Sequence, residues 1–185
     1  MANMNTPRTG TTTSSSTTGV GNEVRGFTSD TGIGRAGQSN DVIGTLNDLI
    51  ETSRDGEKGF ALAAKDTKDP SLASIFREGE QSCREAAREL QEKVRALGGN
   101  PEDSGSISGA VHRGWLSLKT AASSRDDKAI LEECERGEDY AKATYAAALK
   151  TGLPDDVREL VERQYQGALA NHDRIRDLRN QYQNR

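Results

Sequence analysis

The chain has 185 residues, enough for one domain with a terminal extension, and a formal net charge of −4 without a dense Lys/Arg block, which speaks against nucleic acid as its main partner. Apolar residues make up 32 % and charged residues 29 %, no run of 18 apolar residues offers a membrane span, and the N-terminus lacks the apolar stretch of a secretory signal. The two cysteines, Cys83 and Cys134, match no zinc or redox spacing, so both thiols are expected reduced and the compartment cytoplasmic.

Residues 1–39 are rich in Gly, Ser and Thr and poor in large apolar side chains. Such a segment cannot offset its ordering entropy by burial, so a disordered tail is expected ahead of a folded domain over 40–183. The first helix is expected over 41–65, where Ile43, Leu46, Ile50, Ser53, Glu57, Phe60 and Ala64 step by 3 and 4. That stripe faces inward and carries Glu57. Asp69-Pro70 joins an N-cap residue to proline at the first helical position and opens a second helix over 70–97. Its stripe is Leu72, Phe76, Gly79, Cys83, Ala86, Leu90, Val94 and Leu97, with Glu80 beside it. Gly98-Gly99 can close it with a left-handed cap.

The connection over 98–125 carries a shorter helix, 108–122, holding Trp115. A third helix, 126–150, opens on Ser124 and Asp127, a capping-box spacing. Its stripe of Leu131, Cys134, Glu138, Ala141 and Tyr145 again places a carboxylate inside. The fourth helix opens at Pro154-Asp155-Asp156, acids at the positive end of the helix dipole. Its stripe runs through Val157, Val161, Gln164 or Tyr165, Ala168, His172, Ile175 and Arg179. Two short hairpins joined by a long crossover make an all-α, ferritin-like four-helix bundle in which the second and third helices run parallel.

A rise of about 1.5 Å per residue, counted from the first turn, puts Glu57, Glu80, Glu138 and His172 in one layer, with Glu135 one turn above Glu138. A carboxylate on a buried seam must be paired, protonated or metal-bound. Carboxylates and an imidazole converging inside a bundle form the donor set of a di-iron or di-manganese centre. Glu57 and Glu138 would be bridging or terminal ligands, His172 the nitrogen ligand, and Glu80 or Glu135 the completing groups. Oxidation of ferrous iron follows only if that site is real. The alternative is a structural or interaction module without metal, whose seam acids form a protonated or hydrogen-bonded layer. Asn171 and Asp173 point to other faces of the helix, which leaves the second nitrogen of His172 without an evident partner. Gly56, Gly79, Gly137 and Gly167 lie near the same layer. Each disfavours a helix interior by roughly 1 kcal/mol relative to alanine, which points to close helix approach, room for a ligand or a bulge.

The segment over 42–182 resembles a family of small bacterial ferritin-like proteins of uncharacterised function. The resemblance is carried by DGEKGF at 55–60, LGGNPEDSGS at 97–106, HRGW at 112–115, ECERGED at 133–139 and the run over 164–176. It implies a ferritin-like bundle and brings no settled activity. A stress-associated role is the functional expectation, and a homodimer is expected from the fold class. Ferritins supply Glu from the first helix, Glu-x-x-His from the second, Glu from the third and Glu-x-x-His from the fourth. Glu57 and Glu138 match the first and third. The second reads Glu80-Gln81-Ser82-Cys83 and the fourth Leu169-Ala170-Asn171-His172, so half the set is retained. Cys83 as a ligand would favour zinc or another softer metal.

Overall fold

The computed structural model describes residues 33–102 and 126–183, with side chains from Ser39 onward. Four helices, and no strand, occur among these residues: α1 (Ile33–Asp66), α2 (Pro70–Ala96), α3 (Asp127–Ala148) and α4 (Asp155–Gln183). No described helix is long and apolar enough to cross a membrane. The tail reading for 1–32 and the helix expected over 108–122 lie outside the described residues.

The helix ends follow local chemistry. Asp69 caps α2 by accepting from the Ser71 amide at 2.8 Å, and Pro70 follows it. Gly98 closes the helix at φ 77°, a conformation that favours glycine. Two expectations are corrected. The cap of α3 is Asp126, which accepts from the Lys128 amide at 3.1 Å. Asp127 turns instead to Thr67 Oγ1 at 2.6 Å and the Lys68 amide at 2.9 Å, tying the α1–α2 turn to the start of α3. And α1 starts at Ile33, inside the stretch read as tail. Once the packed part of a helix is nucleated, each added residue gains a hydrogen bond without a new nucleation penalty.

Contacts at the two ends set the helix directions. The end of α4 reaches the start of α2 through Tyr182 and Asp69, while the end of α2 meets the start of α4 through Lys93 and Asp156 at 2.9 Å. With the Thr67–Asp127 bond, these place every packed neighbour antiparallel and leave α2 and α3 running the same way. Packing is closest within the pairs α1–α2 and α3–α4. α1 also rests on α3, whereas α2 and α4 meet at few points.

Glycines explain the closeness of α1 and α2. A Cβ on Gly79 would stand 3.1 Å from the Phe60 ring, and one on Gly56 would stand 2.8 Å from Cys83 Sγ. Each helix thus receives a side chain of the other against a bare backbone. Phe60 in turn stacks on Phe76, centroids 6.3 Å apart.

The apolar interior is in two parts. One gathers Leu46, Leu49, Ile50, Leu90, Val94, Val157 and Val161; the other gathers Phe60, Leu72, Phe76, Ile130, Leu131, Cys134 and Ile175. A polar layer lies between them along each helix.

Candidate functional site

All four helices line a cavity of about 230 Å³ in that polar layer. α2 and α4, which meet at few points, both contribute to its wall. Ser53 and Gly56 come from α1, Cys83 and Glu89 from α2, Gly137, Glu138 and Tyr145 from α3, and Gln164, Gly167 and Asn171 from α4. Gln164 spans the gap, donating to the Ala86 carbonyl at 3.3 Å and to Glu89 at 2.8 Å. Its carbonyl accepts from the Tyr145 hydroxyl at 2.9 Å, and that hydroxyl lies 3.2 Å from Ser53 Oγ. Arg163 adds a 3.2 Å ion pair to Glu89 at the rim.

Glu138 is the carboxyl the helical stripe placed inside, and it is only 4 % exposed. Its Oε1 accepts from Asn171 Nδ2 at 2.8 Å. Burial drives its pKa up to about 7. The Asn171 hydrogen bond opposes that rise, Asp139 adds to it, and Lys142 opposes it. Burial likewise pushes the Cys83 thiol up, helped by the charges of Glu138 and then Glu57. Burial raises the Tyr145 hydroxyl too, although Ser53 counteracts it.

The other expected ligands are each engaged locally. Glu57 is 18 % exposed and accepts from Arg54 at 2.7 Å and Arg84 at 2.8 Å. Burial alone would raise its pKa; the two guanidiniums outweigh that and hold it below the usual carboxylate range. Arg84 also pairs with Glu80. Glu135 pairs with Arg179 at 2.9 Å. His172 is nearly covered, but its ring meets surface charges: Nε2 stands 3.0 Å from both Lys142 Nζ and Asp139 Oδ1, and Nδ1 3.2 Å from Asp173 Oδ1. The tautomer sets whether Nε2 accepts from Lys142 or donates to Asp139, and in both cases each ring nitrogen has a partner nearby.

Glu57 and Glu80 are therefore brought together through Arg84, and Glu57 and Glu138 both act on Cys83, but Glu135 and His172 face other partners. Among the described residues no group of three or more His, Cys, Asp or Glu side chains is placed to hold a metal ion. Asn171 and Asp173 correct the sequence reading: Asn171 reaches Glu138, and Asp173 supplies the second partner of His172. Gln164 and Asn171 carry the polar layer on α4, and the signal for both was their position within a turn of the inward stripe. Both cysteines are free.

No curated protein matches the chain. A family model described as a domain of unknown function matches residues 41–151, which takes in the cavity faces of α1, α2 and α3 and stops before α4. The chain belongs to that family of helical domains, DUF2383.

Proposed function

We propose that the chain is a structural or interaction module of ferritin-like arrangement that works without a resident metal. Its buried polar layer specifies which helices pair and at what register. The observation that supports this most is local neutralisation. Glu57 and Glu80 share Arg84, Glu135 takes Arg179, and Glu138 rests on an amide at a raised pKa. Carboxylates already matched in this way need no metal ion to be tolerated inside a bundle. The antiparallel neighbours, with α2 parallel to α3, support the ferritin-like arrangement.

A second reading keeps a metal near Glu57, Cys83 and Glu138, and it is favoured by the joint action of the two carboxylates on that thiol. Metal content separates the two. Untagged protein from cells supplemented with iron and manganese is expected to carry no stoichiometric metal, and to take up neither ferrous iron nor zinc afterwards. One or two equivalents per chain, lost in a folded Glu57→Gln/Glu138→Gln variant, would overturn the metal-free reading and make ferrous iron oxidation the activity to assay.

A further inference from the structure

We propose that the cavity between α2 and α4 binds a small organic ammonium ion, a primary amine on a short apolar chain, with Glu138 as its buried counter-charge. The space comes first. About 230 Å³ is many times the roughly 10–15 Å³ that a single water requires on such a measure. It persists in the middle of an otherwise close-packed bundle because Gly56, Gly137, Gly167 and several alanines line it in place of bulkier residues. Cores close such spaces unless something occupies them.

Charge gives the ligand class. Among the described residues, the lining carries Asp55, Glu85, Glu89 and Glu138 against one guanidinium, Arg163, which is itself paired with Glu89. An anion would meet repulsion at the mouth and again at the floor. At the floor, Glu138 is only 4 % exposed, lines the cavity and accepts a hydrogen bond from Asn171 at 2.8 Å. An ammonium donor there would add a charge-assisted hydrogen bond and offset the desolvation that burial imposes on the carboxylate. Lys142, whose charge acts on Glu138, bonds Asp139 and His172 and is not among the described residues that line the cavity.

The rest of the wall separates an organic cation from a metal ion. Tyr145, Ser53 and Gln164 are already bonded to one another, which leaves Glu138 as the dominant donor atom source on the floor. A bare divalent ion needs several such donors at once. An amine needs one or two, and its alkyl chain can lie along Ala86, Ala141 and Ala168.

The test uses the full chain at pH 8 with n-butylammonium as probe, n-butanol as its neutral counterpart, butyrate as the anion, and Mn²⁺ and Zn²⁺ as metal arms. The readouts are titration calorimetry and the side-chain amide resonance of Asn171 on the wild-type protein. Butylammonium is expected to give a saturable shift of that resonance, with butanol at least tenfold weaker and butyrate silent. Glu138→Gln is expected to lose at least tenfold in amine affinity. The amide readout on wild type decides the matter even if the variant folds poorly. No saturable shift with the amine, or equal binding of amine and alcohol, overturns the proposal. Stoichiometric binding of Mn²⁺ or Zn²⁺ with no amine effect overturns it too, and is the only one of these results that also removes the metal-free reading.

Discussion

Asn171 on α4 donates its side-chain amide to Glu138 on α3 across 2.8 Å, between the two apolar halves of the bundle. That bond holds a carboxyl whose burial outweighs the stabilisation that the amide provides, so the group stays protonated well above the usual carboxylate range.

The pH dependence of stability follows from that imbalance. Glu138 has an ordinary value of 4.5 in the unfolded chain and about 7 in the fold. Between those values the native state holds a proton that the unfolded state has lost, so stability falls as pH rises and levels off above 7. The shift corresponds to about 3 kcal/mol at most. Glu57, held low by its arginines, acts in the opposite sense and only below the usual carboxylate range. The melting temperature of the wild type should therefore drop from pH 5 to pH 8. Glu138→Gln keeps an oxygen for Asn171 and removes the titration, so its profile should be flat over that window and its stability higher at pH 8. A Gln variant with the wild-type slope would refute this account.

Two glycines should respond to alanine with opposite signs. At Gly79 a methyl would press on the Phe60 ring at 3.1 Å, and that ring is fully buried against Phe76. Overpacking of roughly 1–3 kcal/mol should exceed the roughly 1 kcal/mol gained in helix propensity. At Gly167 a methyl meets nothing within 4 Å, so only the propensity gain remains. Urea denaturation of Gly79→Ala and Gly167→Ala should show a loss of about 1 kcal/mol and a gain of up to about 1 kcal/mol.

The cysteines should differ in access. Cys134 is fully buried among apolar side chains, whereas Cys83 lines the cavity. Both thiols are raised by burial and by Glu138, so both should alkylate far more slowly than in the unfolded chain. Peptide mapping after iodoacetamide at pH 8 should find Cys83 modified first, with Cys134 protected until global unfolding. Equal rates would mean that the cavity does not connect to solvent.

At the end of the bundle, Asp126 and Asp127 have separate tasks. Asp126→Ala removes the α3 cap and should destabilise by about 1 kcal/mol. Asp127→Ala releases both Thr67 and the Lys68 amide and should destabilise more than the cap variant. Chemical denaturation of the two single variants checks the order.

The helical stripes were legible because period alone carries them. Leu46, Ile50 and Phe60 on α1, and Leu131, Cys134, Glu138 and Tyr145 on α3, are all buried as their spacing required. Glu57 shows where period stops. It lies on the stripe, yet its carboxylate leans out to two arginines, because a long side chain can leave the seam its backbone faces. His172 is the reverse case: its ring is covered, but its hydrogen bonds go to surface charges one position and one helix away.

The sequence by itself determined the four helices, their caps at Asp69 and Gly98, the antiparallel pairs, and one carboxyl in the interior at Glu138. These depend on residues near one another in the chain, where backbone geometry leaves few choices. Only the tertiary structure decided which side chains meet across helices: Asn171 with Glu138, Arg84 with both Glu57 and Glu80, and Gly79 beneath Phe60. Those pairings depend on helix rotation and on rotamers of long side chains, and a shift of a fraction of a turn exchanges one partner for another. The cavity belongs to the same class, since an unfilled volume is a property of four surfaces together and of no single stretch of chain.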